Sequence, residues 1–562
     1  MSTTFRLRPW QRAAFDRFQA SSESDYLAVA TPGAGKTTFA LTCARWVLGQ
    51  RRCRVAVVAP TSHLKTQWAQ AAHRLGLALD PNWTPGTGLA RDVHGLVTTY
   101  QQISTGDAAL KLRALMADGF VILDEIHHAG DERAWGDGVR TAFELAHRRL
   151  AVSGTPFRSD TAAIPFVRYQ AEEAVPDYEY GYADALRDGG VVRPVYFPRI
   201  DGLMEWTAPD GTLEAATFDD SLDAARSSQR LRTALSLDGE WLPHVLGQAH
   251  ERLMQIRVSH PEAGGLVIAI DLDHAKSIAR VLRDRFGSHP VVVTSDDPLA
   301  SAKIAEFAAD SKPWLVAVRM VSEGVDIPRL RVGVYATTTT TELFFRQAVG
   351  RFVRWSAGRR SQKAYVFLPD DPRLRSHAFQ IADARRHVLR SRTEDLDEEF
   401  RREQDPDEAA AQLDSMSDEQ LSLFSVVSAV ATDMELHAFT ETGLSFDDEP
   451  DLPEPEYDDE ALAALAIDLP DVPTEAGMVR TDELSVAERK DELRARNADL
   501  ARKLVDLTGW THAKVNGELN RLAGVNAVAS ATSDQLERRI RYGESWARKI
   551  RAQAPTTARR SG

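Results

Sequence analysis

The chain has 562 residues, with 82 acidic and 68 basic side chains, a formal net charge of −14 and two cysteines. At roughly 150 residues per domain, this length predicts about three or four domains. Two cysteines exclude a disulfide framework and a cysteine-built zinc cage, and without a signal core or an apolar run of about 18 residues we expect a cytoplasmic protein with no membrane partner.

Short apolar runs alternate with helical stretches in two parts of the chain. The runs expected to form buried strands are 26–30, 54–59, 96–99, 120–123 and 149–153, followed by 266–270, 291–294, 314–318, 332–335 and 364–368. Such alternation predicts parallel sheets covered by helices on both faces. The sequence therefore predicts an α/β fold with two tandem parallel-sheet domains, at 1–165 and, including a less regular connector, at 166–392.

The second half of the chain changes character. Residues 394–475 hold 27 acidic and 2 basic side chains, a net charge of −25, whereas 476–562 hold 17 basic and 11 acidic side chains, a net charge of +6. We expect an acidic, partly helical or disordered linker at 393–480. The alternative is an acidic segment that imitates a nucleic-acid strand and occupies its groove.

Helical spacing returns after this acidic segment, and we expect a small helical C-terminal domain at 481–562. Thr481 and Thr532 are predicted helix starts, and Gln535, three residues after Thr532, can complete a capping box. The domain is expected to pack on the rest of the chain or on a protein partner. DNA binding through the basic residues 538–541 is the alternative.

A glycine-containing turn follows the first predicted strand. Residues 30–37 read Ala-Thr-Pro-Gly-Ala-Gly-Lys-Thr, and a helix opens at Lys36. Backbone amides and the helix dipole at such a turn bind phosphates, Lys36 reaches the terminal phosphates and Thr37 offers its hydroxyl to Mg²⁺. The strict pattern has glycine where Ala30 stands. The residues predicted to bind ATP here are Pro32, Gly33, Ala34, Gly35, Lys36, Thr37 and Thr38.

Two acidic residues end the strand at 120–123. Asp124 at this position can hold Mg²⁺, and Glu125 can orient or deprotonate the attacking water. Acidic pairs at strand ends are also common loop residues. The phosphate-binding turn ahead of this pair favours the catalytic interpretation.

Two arginines occur three residues apart in the second predicted domain. Arg351 and Arg354 are expected on one face of a helix that also carries Gln347. An ordinary solvated basic face is the alternative. Together with the turn and the acidic pair, these arginines are predicted to stabilise charge on the phosphates.

These segments together resemble superfamily 2 helicases, in the branch of restriction-enzyme-type motors and XPB-like repair helicases, over about residues 6–370. The resemblance implies two RecA-like domains that close on ATP. It assigns Gln11 to the adenine base, Asp326 to the ribose, Ser153 and Thr155 to coupling of hydrolysis with movement, and Gln347 to the catalytic cleft. The segments that carry it are 8–11, 30–37, 59–68, 97–101, 124–127, 153–158, 266–271, 322–328 and 347–354.

The resemblance also implies a grip on nucleic-acid phosphates, which is tolerant of sequence. The predicted contacts are Thr61, Ser62, Lys65, Thr98, Thr99 and Ser322. For each threonine taken singly, a buried hydroxyl at a strand end is the simpler interpretation. Gln347 and the segment 60–64 differ from the forms usual in RNA-directed members, which favours DNA.

The functional hypothesis is an ATP-dependent DNA helicase or duplex translocase that hydrolyses ATP with Mg²⁺. The alternatives are an RNA helicase and an ATPase switch that clamps nucleic acid without unwinding it. A metal nuclease built from Asp471, Glu488 and Lys490 is excluded, because 485–494 is predicted to be helical. His127 and His128 are expected to be cleft residues without a metal.

Overall fold

The computed structural model describes residues 3–130, 133–154, 164–170, 173–294, 297, 299–318, 327–356, 358–359, 362–394, 425–431, 459–479 and 484–553. The chain divides into two units. One comprises Met1–Val29, Gly35–Glu179 and Tyr457–Gly562, and the other comprises Ala30–Ala34 and Tyr180–Glu456. No helix among the described residues combines the length and apolar character needed to cross a membrane.

The first unit contains a seven-stranded sheet in the order β10-β2-β7-β6-β3-β5-β4, and the neighbours from β2 to β4 are parallel. The elements up to the end of this sheet are β1 Thr3–Arg6, α1 Pro9–Ala20, β2 Asp25–Ala30, α2 Lys36–Gln50, β3 Val55–Ala59, α3 Ser62–Arg74, β4 Leu79–Asp80, β5 Gly95–Thr99, α4 Tyr100–Ile103, α5 Ala108–Leu115, β6 Phe120–Asp124, a 3₁₀ turn Ile126–Gly130, α6 Arg133–Phe143, β7 Arg148–Ser153, β8 Tyr169–Gln170, β9 Glu173–Ala174 and β10 Tyr178–Tyr180. The five strands predicted in this part of the chain are confirmed.

The central strands of this sheet are buried along their whole length, as expected for strands covered by helices on both faces. Because β2, β3, β5, β6 and β7 run parallel, their carboxyl ends lie at one edge of the sheet. In open parallel sheets this edge is where ligands bind. The glycine turn, Asp124 and Ser153 all follow or end strands at this edge.

The second unit contains a sheet in the order β11-β19-β18-β15-β17-β16, with parallel neighbours and β12 pairing with β19. Its elements are α7 Tyr182–Asp188, β11 Val195–Tyr196, β12 Arg199–Ile200, β13 Gly202–Thr207, β14 Leu213–Ala216, α8 Ala224–Leu235, α9 Trp241–Ser259, β15 Gly264–Ala269, α10 Leu272–Phe286, β16 Val291–Val293, α11 Ala300–Ala309, β17 Trp314–Val318, β18 Leu330–Ala336, α12 Glu342–Val349, β19 Ala364–Pro369, α13 Pro372–Glu394 and β20 Ser425–Ala431. The second predicted set of strands is also confirmed.

Two expectations about the connecting regions need correction. The predicted connector is more regular at 173–260 than expected, since β13 and β14 form an antiparallel pair followed by two helices. β20 lies inside the predicted linker and pairs with β13. Its sequence, Ser-Val-Val-Ser-Ala-Val-Ala, is apolar and free of charge, which suits a strand although its surroundings are acidic.

The last elements are α14 Asp459–Ala464, β21 Ala466–Leu469, α15 Val486–Thr508, α16 His512–Ala523 and α17 Ser533–Gln553. α15, α16 and α17 share an apolar core that includes Leu504 and Leu519, so the predicted helical C-terminal domain is confirmed. Thr532 and Gln535 form the expected capping box. Thr481 lies outside the described residues, and the cap of α15 is Ser485 with Glu488.

A strap joins this helical domain to the first sheet domain. β21 pairs antiparallel with β1, the Arg45 guanidinium donates to the carbonyl of Pro470 at 3.2 Å, and Arg54 pairs with Glu475 at 3.0 Å. Residues 466–475, expected in the linker, therefore belong structurally to the first unit. The expectation that the helical domain packs on the rest of the chain is confirmed.

Candidate active site

The turn before α2 is built from left-handed glycines. Gly33 has φ +83° and Gly35 has φ +94°, a region that costs glycine little and other residues much more. A Cβ on Gly35 would lie 2.7 Å from Nε2 of Gln11. Both glycines are therefore required by the backbone path of the turn.

Gln11 lies against this turn. Its Nε2 donates to the Gly35 carbonyl at 2.9 Å, and its Oε1 accepts from the Arg8 amide at 2.8 Å. The side chain is buried, with 4% exposed. The structure thus brings the predicted adenine-reading residue to the glycine turn and fixes its carboxamide in one orientation.

Two predicted residues, Lys36 and Ser153, contact the carboxylate of Glu125. The Lys36 ammonium lies 3.1 Å from Oε1 of Glu125. Oε2 accepts from the Ser153 hydroxyl at 3.0 Å and from the Gly154 amide at 3.1 Å. Residues on α2, β6 and β7 therefore converge on one carboxylate at the carboxyl edge of the sheet.

Glu125 is held in an unusual backbone conformation. Its φ is +46°, which is uncommon for a residue with a side chain and persists only when the surrounding structure enforces it. Burial opposes ionisation of this carboxyl, but the charge of Lys36, the nearby His127 and the Gly154 amide lower its pKa to about 2. Glu125 is consequently ionised at neutral pH, with its charge balanced by Lys36.

Asp124 has the opposite electrostatic character. Burial and the charge of Glu125 raise its pKa to about 7, while its Oδ2 accepts from the Trp68 indole at 2.8 Å. Its backbone carbonyl accepts from the Tyr100 hydroxyl at 2.8 Å. Two aromatic side chains thus position a carboxyl group whose ionised form needs a cation.

This arrangement fits Mg²⁺. Oδ1 of Asp124 has no hydrogen-bond donor in the part of the chain that the structure describes, and Thr37 stands at the start of α2 with its side chain part-exposed. The same described residues contain no group of three His, Cys, Asp or Glu that could hold a metal. Mg²⁺ suits such a site, because it uses few protein ligands and takes others from water and phosphates.

The two histidines beside the acidic pair are buried. His127 is 1% exposed, and its Nδ1 lies 3.2 Å from the Ser153 hydroxyl. The centroids of the His127 and His128 rings are 4.3 Å apart. His127 therefore packs behind Glu125 and Ser153, and the expectation that these histidines build no metal site stays a prediction.

The predicted phosphate-backbone contacts separate into two groups. Thr61 and Lys65 are part-exposed and Ser62 is exposed, with the Lys65 ammonium donating to Gln102 at 3.2 Å. Thr98 is fully buried in β5, and the Thr99 hydroxyl accepts from the Gln102 amide at 3.1 Å. The simpler interpretation therefore holds for Thr98 and Thr99. Thr155, Ser322 and Asp326 lie outside the described residues.

The arginines of the second unit do not share a helical face. α12 ends at Val349 and Gly350 caps it. Arg351 lies in the following turn, and Arg354 forms an isolated antiparallel bridge with Val192. The prediction of one helix was wrong because the chain leaves the helix at Gly350, whereas Gln347 does lie on α12.

Residues 4–158 match the family model of the type III restriction enzyme, res subunit. This confirms the resemblance to restriction-enzyme-type superfamily 2 proteins. The chain is also 40% identical over 577 residues to the uncharacterized protein ML1624 of Mycobacterium leprae, covering 95% of this chain and 93% of that protein. The chain belongs to the ML1624 family.

Another member, the uncharacterized protein Rv2917 of Mycobacterium tuberculosis, is 47% identical over 400 residues, or 69% of this chain and 66% of that protein. The match thus spans just under two thirds of that relative. Among solved structures, a putative HsdR subunit of a type I restriction enzyme from Vibrio vulnificus is 18% identical, with a TM-score of 0.45 over 66% of this chain and 65% of its own. S. cerevisiae Dbp5 bound to RNA and ADP BeF3 is 13% identical, with a TM-score of 0.42, and the match covers 68% of this chain and 87% of that chain.

Sequence reasoning missed three contributors to the site of this ML1624-family protein. Trp68 and Tyr100 hold Asp124, and the Gly154 amide binds Glu125. A buried indole or phenol needs a hydrogen-bond partner. An aromatic residue directly after a strand at this edge, such as Tyr100, could therefore have indicated a contact with the site. The identity of the partner required the tertiary structure.

Proposed function

We propose that this protein hydrolyses ATP and uses the reaction to move along DNA, as a helicase or duplex translocase. The observation that carries the proposal is the convergence of Lys36, Ser153 and the Gly154 amide on Glu125 beside the glycine turn. Both side chains are part-buried, and an ordinary surface pair of a lysine with a carboxylate would not require the strained backbone of Glu125.

The residues have distinct proposed roles. Amides of residues 33–36 and the Lys36 ammonium bind the phosphates, and Gln11 contacts the base. Thr37 and Asp124 would hold Mg²⁺, which supplies charge neutralisation to the terminal phosphates when bound. Arg351 and Arg354 remain the proposed arginines that stabilise transition-state charge, and Gln347 their companion.

Glu125 is proposed to orient the attacking water. With a pKa near 2 it is a weak proton acceptor while Lys36 balances its charge. Phosphate oxygens compete for the same ammonium, and a lysine that turns toward them leaves Glu125 less neutralised and more basic. Nucleotide binding would thereby activate the group that handles the water.

Coupling to movement is proposed to run through Ser153 and Gly154. Both donate to the Glu125 carboxylate, so a change at the phosphates alters the hydrogen bonds at the end of β7. Thr61, Ser62 and Lys65 are the proposed contacts to a phosphate backbone, and their partial or full exposure supports this role. DNA is preferred over RNA on the sequence of residues 60–64 and on Gln347.

The deciding experiment measures ATP hydrolysis with single-stranded DNA, duplex DNA, forked DNA and RNA side by side. DNA stimulation with strand displacement supports a helicase, and DNA stimulation without displacement supports a duplex translocase. Stimulation by RNA alone would replace DNA as the substrate. Tight nucleic-acid binding without turnover would identify the clamping switch instead.

A further inference from the structure

The C-terminal helices are anchored on the first sheet domain by a buried ion pair. The Lys490 ammonium lies 2.6 Å from Oδ1 of Asp92, and Oδ2 of Asp92 accepts from the Ser533 amide at 2.8 Å. Lys490 is 2% exposed. One carboxylate thus fixes the first turns of both α15 and α17, so the helical domain occupies a defined position within its unit.

Seven of the 14 basic side chains at 484–553 are committed to partners within the part of the chain that the structure describes. Arg539 is buried and donates to Asn497, Asn516 and Asn520. The Lys514 ammonium lies 4.0 Å from the centroid of the Trp510 ring. The remaining committed pairs are Arg489–Glu537, Lys490–Asp92, Arg494–Asp491, Arg502–Asp499 and Arg521–Glu518.

Four of the other seven basic side chains line one groove, whereas Arg538, Arg541 and Lys549 are exposed outside it. Arg496 and Lys503 of α15 and Arg548 and Arg551 of α17 border an open groove of about 530 Å³. All four are exposed, and none makes a hydrogen bond or ion pair with the residues that the structure describes. Their charge is therefore available to a partner.

The acidic residues of the groove do not cancel this charge. Its lining contains Asp499 and Glu544, and Asp499 is paired with Arg502. The four cations thus face one unpaired carboxylate. The groove therefore carries an excess of positive charge that its own acidic residues do not neutralise. A polyanionic partner would neutralise this charge.

The helix geometry spreads the cations along the groove. Arg496 and Lys503 are seven residues apart, so they lie on one face of α15 and about 10 Å apart along its axis. The floor is formed by Leu500, Ile540 and Ala547, which offer no aromatic ring for base stacking. Contacts would therefore be to the sugar–phosphate backbone and insensitive to base sequence.

We propose that this groove is a second nucleic-acid backbone site, held in place on the ATPase domain by the Asp92 anchor. This proposal rests on the proposed function in one respect only, which is the kind of nucleic acid along which the motor moves. The site lengthens the contact with nucleic acid without reading sequence. Its binding should follow counterion release, with a salt slope of about −0.9 per phosphate contact on duplex DNA.

The test compares two double variants of the full chain, K503Q/R548Q in the groove and K514Q/R521Q on α16 as the matched control. Duplex DNA binding is titrated between about 50 and 300 mM salt, and ATPase activity is measured without DNA. We expect the groove variant to reduce the salt slope by about 1.5 to 2. The control should keep the wild-type slope, and both variants should keep the basal ATPase rate.

Equal slopes for the two variants, with DNA-stimulated ATPase retained in both, would overturn the groove site and leave the motor assignment standing. The proposal would also be overturned if polyglutamate bound in this groove and DNA did not. The partner would then be an acidic polypeptide. Wild-type protein whose ATPase responds to no nucleic acid would instead refute the proposed function. Lys503 and Arg548 make no hydrogen bond or ion pair with the described residues, whereas the control removes the Arg521–Glu518 pair and the Lys514–Trp510 contact.

Discussion

Charge is organised differently in the glycine-turn site and in the C-terminal helical domain. At the turn, the pKa values of two adjacent carboxyl groups shift in opposite directions. The pKa of Asp124 is raised to about 7 and that of Glu125 is lowered to about 2. In the helical domain half of the described cations are paired, and four of the unpaired cations line one groove. Adjacent acidic residues with divergent pKa values are typical of catalytic sites. Paired charges attach one part of a protein to another, whereas a row of unpaired cations indicates a surface that binds a polyanion.

The largest expected effect tests the turn. K36A should lower ATP turnover by at least about 10³-fold, because it removes the cation for the terminal phosphates and unbalances Glu125. Phosphate release measures the loss. K111A is a matched control, since Lys111 is an exposed lysine paired with Asp107. Near-normal hydrolysis by K36A would refute the assignment of the turn.

E125Q tests the second half of the same site. The amide keeps an oxygen for Ser153 and Gly154 but cannot act on water as a carboxylate, so turnover should fall by about 10²–10⁴-fold. ATP affinity, measured with a fluorescent nucleotide, should not weaken. Loss of nucleotide binding together with turnover would show that Glu125 is a structural partner of Lys36 only.

Substitution of the anchor tests the helical domain. K490M leaves the part-buried Asp92 without its cation, and breaking such a pair costs about 3–5 kcal/mol when both partners are fully buried and less here. We expect the C-terminal helices to become sensitive to limited proteolysis while basal ATPase activity is retained. R489M, which removes a more exposed pair with Glu537, should change little. Equal protease resistance of the two variants would argue against the anchor.

The smallest expected effect is a pH dependence of the strap. Burial lowers the pKa of His94, and the nearby Arg54 and Arg45 act in the same direction, although the Val472 carbonyl opposes them. Neutral His94 accepts from the Ala78 amide at 2.9 Å and faces the Val472 carbonyl at 2.6 Å. The unfolded chain therefore binds more protons, and stability should fall as pH drops below about 6.5 toward the folded pKa.

Urea unfolding between pH 5 and 8 measures this dependence. H94A should be less stable at neutral pH and should lose the His94 share of the pH slope. If the slope is the same in the variant and the wild type, other groups account for the acid sensitivity of the strap.

The strands and the site edge were predictable because they depend on local patterns. Buried apolar runs alternating with helices define a parallel sheet, and the residues after such strands meet at one edge. Lys36, Asp124 and Glu125 followed from this rule. The common helical face of Arg351 and Arg354 did not hold, because spacing alone could not show that Gly350 ends the helix.

The linker shows why averaged composition fails. A net charge of −25 over residues 394–475 describes most of that segment but conceals β20 and β21, whose apolar residues pair with β13 and β1. Strand pairing between distant parts of the chain depends on which edges are open. The local composition of a segment does not show which strand edges are open.

The sequence by itself determined the two α/β domains, the phosphate-binding turn, the acidic pair and the helical character of the C-terminal domain, since each depends on residues a few positions apart. Only the tertiary structure decided that Trp68 holds Asp124 and that Asp92 binds Lys490, 398 positions away. The reason is physical. Local propensity chooses helices and strands, but the partner of a buried charge is whichever group packing brings within hydrogen-bond distance.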